Sequence, residues 1–219
     1  MSRSELLLER IGALSGVAFI ALLVAGFSMT GDSDPPSPDE PAGVIAAHLV
    51  DVASGQELAN GVSLVAIVCL VIFVSYLRHV LQRAEPSSTF LPAAAWAGGL
   101  LFAAMLLLGL SIQIASGVVA DYGADAQVAK TFYLLGWDFI AVFGPPLAIL
   151  IGATSVSGLL HGGLPRWLSW AGLPLAVVLL SPAMFFGFLI ALLWLIALSV
   201  VLTTRTIRLP QAGLVSRTA

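Results

Sequence analysis

The sequence predicts an all-α fold, a polytopic transmembrane helical bundle of six spans with both termini in the cytoplasm. Apolar residues make up 59% of the 219 residues and charged residues 10%, which is about half the charge content of a soluble domain. Apolar runs recur at lengths near the ~20 residues that cover a ~30 Å hydrocarbon core as a helix. Eight of the nine Lys and Arg residues fall in segments that this pattern places on one side, as the excess of basic residues in cytoplasmic loops requires.

Residues 1–219 are therefore interpreted as a single integral membrane domain. Four apolar runs qualify directly as spans, at about 11–29, 58–80, 91–118 and 132–160. Arg3 and Arg10 precede the first run, as they would in a cleaved signal peptide, but the run is as long as a span and no small-x-small cleavage site follows it. We interpret the first run as a retained membrane anchor.

The last apolar stretch, residues 167–204, is too long for one span, since it would reach ~57 Å as a straight helix. Two spans at 167–181 and 184–204, turning near Ser181 and Pro182, return the C-terminal arginines to the side that holds the other basic residues. The alternative is one long span, giving five in total and leaving three arginines outside. The charge pattern favours six spans.

The segment between the first two spans, residues 30–57, carries acidic residues but no Lys or Arg. It is predicted to lie outside the cell. Ser37 to Glu40 has the form of a capping box, with proline at the first helical position. We therefore expect a short external cap helix that begins there and ends near Ser54 and Gly55.

Asp138 is the ionisable residue that the pattern places well inside a span, ~9 Å from the outer end of the fourth. Asn60, Ser63, Gln113 and Ser116 fall at a similar depth, and these five residues form a candidate polar intramembrane site. Such a carboxylate usually faces the bundle interior. One hypothesis is an inter-helix hydrogen bond that fixes packing; the other is a proton or cation site in an outward-facing pocket.

Gly144, Pro145 and Pro146 interrupt the same predicted helix. Each proline lacks an N–H and clashes with the preceding turn, so a helix kink is expected at Pro145 and Pro146. Kinks of this kind are tolerated in membrane helices for packing reasons alone. The feature therefore adds little weight to a transport hypothesis.

Several chemistries are not supported by the sequence. The three histidines are not paired inside the membrane to ligate haem, and we expect no cofactor and no metal site. The net charge of −3 and the scattered arginines argue against a nucleic-acid partner. The loops leave no room for a soluble catalytic domain, so the protein is not expected to be an enzyme. An intramembrane enzyme would need Glu57 or His48 beside Asp138.

The stretch 163–170, Gly-Leu-Pro-Arg-Trp-Leu-Ser-Trp, places a proline, an arginine and tryptophans at the predicted start of the fifth span. Together with the acidic, Pro/Ser-rich external loop, it resembles a broad group of small bacterial multi-pass membrane proteins with no established activity. The resemblance implies a six-helix bundle in the bacterial plasma membrane and supplies no catalytic residues. Proline as a helix start, arginine at the inner headgroups and tryptophan at the interface also account for the stretch physically.

These observations favour an integral plasma-membrane protein with a structural, accessory or sensing role. The alternative is a small transporter or proton-coupled channel that uses Asp138. The expected partners are the lipid bilayer and either a second copy of the chain or another membrane protein. Small-residue faces that suit such helix contacts occur in the first span at Gly12 and Gly16 and in the third at Gly98 and Gly99.

Overall fold

A computed structural model describes the backbone of residues 3–29, 35–84, 89–123 and 125–215, and their side chains except those of 3–6, 54, 137–141 and 205–215. This part of the chain is all-helical. The helices are α1 (Arg3–Ser28), α2 (Ala42–Asp51), α3 (Ala53–Ala84), α4 (Phe90–Asp121), α5 (Ala126–Phe139), a 3-10 segment (Ile140–Phe143), α6 (Gly144–His161), α7 (Arg166–Val178) and α8 (Met184–Val215).

Within the described residues, five helices are long and apolar enough to cross a membrane. They are the segments Leu7–Ser28, Gly55–Ala84, Phe90–Asp121, Gly144–His161 and Met184–Thr204. Their outward faces are also apolar: Val24 and Val68 are more than half exposed, as is Leu193. The prediction of a helical chain with several helices long and apolar enough to span a membrane is confirmed. The predicted fifth span is α7, whose 13 residues are too short to qualify by length.

Six helices form a closed ring in the order α1, α3, α4, α6, α7, α8 and back to α1. Each neighbouring pair is in direct contact, and one continuous apolar core fills the ring. Helix α2 lies outside this ring and packs on α5 and on the C-terminal end of α4 through a separate small core of Ile45, Leu49 and Ala129. The molecule is thus a ring of helices with a second, smaller layer at one end.

Helices α6 and α7 run antiparallel in close contact. A Cβ on Gly158 would overlap the Ser169 hydroxyl, and a Cβ on Gly172 would overlap the Ser155 hydroxyl. At the start of α6, Gly144 lies directly against the backbone carbonyl oxygen of Leu179, the residue that ends α7. The turn between α7 and α8 is therefore level with the beginning of α6.

The predicted fourth span is divided in two. Its α-helical hydrogen bonding stops after Phe139, continues as 3-10 helix over Ile140–Phe143, and resumes in α6. Pro145 and Pro146 have no N–H to donate to the carbonyls four residues earlier, which accounts for the change of helix type at that point.

The predicted capping box is wrong. Ser37 to Glu40 forms a turn in which the Glu40 N–H donates to the Ser37 carbonyl oxygen (3.0 Å), and α2 starts at Ala42 with Pro41 as its N-cap. A residue before proline is disfavoured in helical conformation, so Pro41 prevents Glu40 from entering the helix. Helix α2 ends at Asp51, and α3 begins at Ala53.

Candidate functional site

Asp138 lies in the last turn of α5, immediately before the 3-10 segment. Its side chain lies outside the described part of the structure, so its predicted role stays a prediction. The structure does show the position of α5, which carries Asp138, and the surroundings of the four polar residues expected near Asp138.

Asn60 and Ser63 lie on α3 and are both half-buried. The Ser63 hydroxyl packs against Gly26 of α1, where it lies 2.9 Å from the position that a Cβ would occupy. The Asn60 side-chain oxygen accepts a hydrogen bond from the Gln56 amide, one turn earlier in α3 (3.4 Å). Helices α3 and α5 do not pack against each other within the described residues. Asn60 and Ser63 therefore line the contact with α1 or lie along α3 itself.

Gln113 and Ser116 lie on α4, which does pack against α5. Ile112 of α4 faces Gly136 of α5, with 3.9 Å between the Ile112 Cγ2 and the position of a Cβ on that glycine. Ser116 follows Ile112 by one helical turn and is buried, whereas Gln113 is exposed. The Ser116 hydroxyl donates to the Gln113 carbonyl oxygen (2.7 Å). Of the four residues expected around Asp138, Ser116 shares the α4 face that Ile112 presents to α5.

A second group of polar residues, which sequence reasoning missed, lies on α6, where Ser155 packs against Gly172 of α7 beside Trp194 of α8. Thr154, Ser155 and Ser157 are almost completely buried, and their hydroxyls have no hydrogen-bond partner in the described part of the chain. The Trp194 indole N–H of α8 donates to the Leu168 carbonyl oxygen of α7 (2.9 Å). Serine and threonine are ordinary residues in membrane helices, so no sequence pattern marked these three positions.

Three aromatic side chains meet in the interior of the helix ring. Phe102 of α4, Phe143 of the 3-10 segment and Phe188 of α8 have ring centroids 6.0 to 6.3 Å apart. Helices α4 and α8 are not neighbours in the ring, so Phe102 and Phe188 meet across its interior. A cavity of about 10 Å³ beside them, roughly the volume available to one water molecule, is lined by apolar side chains and Gly144. The three aromatic rings therefore fill the interior of the helix ring at the position of Phe143.

At the end of the ring where α3 ends and α4 begins, two arginines of α3 have different partners. Arg83 forms an ion pair with Glu9 of α1 (2.5 Å), and Glu9 is 8% exposed. The guanidinium of Arg78 lies over the ring of Trp96, with 4.7 Å between the guanidinium carbon and the ring centroid. The sequence showed Glu9 only as a residue before the first span, so its burial was not anticipated.

At the opposite end of the helix ring, two hydrogen bonds connect α5 to the segment before α2. The Lys130 ammonium donates to the Glu40 carbonyl oxygen (2.7 Å), and the Tyr133 hydroxyl donates to the Pro36 carbonyl oxygen (2.7 Å). Both acceptors are backbone atoms of a proline-rich stretch. The contacts fix α2 over α5.

A comparison with protein-family models, with curated proteins and with solved structures finds no match to this chain. Among the described residues, no group of three or more His, Cys, Asp or Glu side chains is placed to hold a metal ion.

Proposed function

We propose that the chain is an integral plasma-membrane protein of six spans, with both termini in the cytoplasm and α2 on the outer face. Its role is structural, accessory or sensing, exercised through contacts with lipid and with other membrane proteins, without catalytic chemistry of its own. The observation that supports this role best is the closed interior of the helix ring.

The sixth span is supported by the contact between Gly144 and Leu179. Helix α6 has 18 residues, so it extends ~27 Å and nearly covers the hydrocarbon core. Since α7 runs back along α6 until Leu179, the residue after α7, meets the start of α6, α7 and the following turn return the chain to the outer side. With α8 leading inward, the excess of basic residues in cytoplasmic segments supports a cytoplasmic C-terminus.

The same geometry changes the expected depth of Asp138. If α6 crosses the membrane from Gly144 to His161, then Asp138 lies six residues before its outer end, ~9 Å further out by helical rise. The contact between Ile112 and Gly136 sets this position about level with Leu110, in the outer half of the α4 span. A carboxylate nearer the headgroup region costs less than one at the bilayer centre.

The aromatic centre also favours a role in packing over transport. A solute or proton pathway requires polar groups or water along its length. Phe102, Phe143 and Phe188 instead meet across the ring, and the Ser155 hydroxyl lies against Gly172, beside the Trp194 indole.

Proton flux into liposomes tests this proposal against the transporter alternative. The purified chain is reconstituted with a pH-sensitive dye inside, and a pH gradient is applied with a potassium diffusion potential to drive charge movement. We expect the same flux as in protein-free liposomes, for the wild type and for Asp138→Asn alike. Flux above that background, lost in Asp138→Asn with normal folding, would establish the transporter instead.

A further inference from the structure

Arg78 is held at the edge of the groove between α3 and α4. One helical turn before it, Val74 packs against Gly99 of α4, with 2.5 Å between the Val74 Cγ1 and the position of a Cβ on that glycine. Because Gly99 has no side chain, α3 and α4 can approach each other closely. One turn further along, the half-buried side chains of Arg78 and Trp96 stack on each other and close the groove.

The Arg78 guanidinium has one buried N–H group without an acceptor among the described residues. Its Nε is buried without a hydrogen-bond partner, and no ion pair to Arg78 is formed there. The buried carboxylate at this end of the ring, Glu9, is already bonded to Arg83. A guanidinium carries five N–H donors in a planar fork that matches a phosphate, so an unpaired one is a strong anion ligand.

Arg78 lies where a lipid molecule can reach its side chain. Ser75 and His79, on either side of it along α3, are exposed, as is Ala97 beside Trp96 on α4. In the proposed topology this part of the molecule lies near the cytoplasmic surface, whose anionic lipids attract basic residues. The stack on Trp96 fixes the guanidinium plane, so less side-chain freedom is lost when a ligand binds.

We propose that Arg78 and Trp96 form a binding site for the phosphate of an anionic phospholipid headgroup at the cytoplasmic end of the α3–α4 groove. Arg78 supplies the charge and the N–H donors, and Trp96 holds the guanidinium in place and contacts the upper acyl chain. The inference rests on the proposed membrane topology and adds to it a specific lipid site.

The site is tested by native mass spectrometry of the full-length chain in an uncharged detergent, titrated with phosphatidylglycerol or with phosphatidylcholine. The wild type is expected to retain phosphatidylglycerol more tightly than phosphatidylcholine. Arg78→Gln should weaken phosphatidylglycerol binding about tenfold, the loss typical of one charge-assisted hydrogen-bond site. Arg166→Gln, which changes an exposed arginine of α7, is the matched control and should bind as the wild type does.

Two further variants separate the contributions of charge and stacking. Arg78→Lys keeps the charge but loses the planar fork, and should bind with intermediate affinity. Trp96→Leu keeps Arg78 but removes the ring, and should also weaken binding; it serves as the test if Arg78→Gln does not fold. Millimolar inorganic phosphate should not displace the lipid, and full displacement would contradict a lipid site in favour of a free-anion site.

Equal retention of the two lipids by the wild type would overturn the inference, as would unchanged phosphatidylglycerol binding in Arg78→Gln. These results leave the membrane topology intact. A chain that stays soluble without detergent and retains no lipid at all would instead remove the proposed membrane function together with this site.

Discussion

Trp194 and Leu168 join α8 to α7 by a hydrogen bond between the indole N–H and a backbone carbonyl oxygen, 2.9 Å apart. Both residues are buried, and Trp194 also contacts the region of Gly172, where its Nε1 lies 3.1 Å from the position of a Cβ. The bond lies where α6, α7 and α8 meet. It is therefore a polar contact that holds the short α7 against α8.

Trp194→Phe should destabilise the protein by about 1–2 kcal/mol, because it leaves the buried Leu168 carbonyl without this donor and keeps most of the ring packing. The free energy of unfolding is measured by titrating detergent micelles with SDS. Trp170→Phe, at a residue 64% exposed, is the control and should change stability little. Equal stability of both variants would show that the bond contributes nothing.

Gly172→Ala should destabilise by about 1–3 kcal/mol, because the new Cβ overlaps the Ser155 hydroxyl. Adding Ser155→Ala removes that oxygen, so the double variant should recover much of the loss. Gly117→Ala is the matched helical control, since nothing lies within 4 Å of its Cβ position. A Gly172→Ala variant as stable as the Gly117→Ala variant would contradict the close α6–α7 contact.

The Glu9–Arg83 pair should show a coupling free energy of about 1 kcal/mol in a double-mutant cycle of Glu9→Gln and Arg83→Gln. Glu9 is nearly buried whereas the Arg83 side chain is 58% exposed, so the energy should exceed that of a fully exposed pair but remain sensitive to salt. Arg10→Gln, an exposed neighbour, is the control. Additive effects within error would mean that the pair has no energetic role.

Tyr133→Phe should loosen the segment before α2, because it removes the hydrogen bond to the Pro36 carbonyl oxygen. Amide hydrogen exchange in α2 should become several-fold faster, reporting local opening without global unfolding. Thr131→Val is the control, since the Thr131 hydroxyl donates to the Gln127 carbonyl oxygen of its own helix. Unchanged exchange in Tyr133→Phe would show that Lys130 and the Ile45 core hold α2 without it.

The helical architecture could be predicted from the sequence because hydropathy and charge are averaged over long segments. Every predicted span overlaps a helix of the structure, including the two that turn near Ser181 and Pro182. The start of α2 could not be predicted from the capping-box pattern alone. Ser37 and Glu40 have the right spacing, but Pro41 decides the outcome because it excludes Glu40 from helical conformation.

The candidate site was harder to predict. The spacing of residues along one helix indicates how deep each side chain lies in the membrane, but it does not indicate which other helix that side chain contacts. Ser63 and Ser116 have similar predicted depths, yet Ser63 faces α1 and Ser116 lies on the α4 face beside α5. The partners of Glu9 and Trp194 are 74 and 26 residues away in the chain. Such pairings depend on the order of helices in the ring, which a single sequence does not specify.

The proposed six-span topology is tested most directly by finding the side of the membrane on which the α7–α8 turn lies. The native cysteine Cys69 is replaced by serine, and single cysteines are placed at three exposed positions, Tyr122, His161 and Ala183. A membrane-impermeant maleimide is then added to intact cells. Six spans predict that Tyr122→Cys and Ala183→Cys are labelled from outside, and that His161→Cys is labelled only after permeabilisation. Labelling of Ala183→Cys on the same side as His161→Cys would contradict the account.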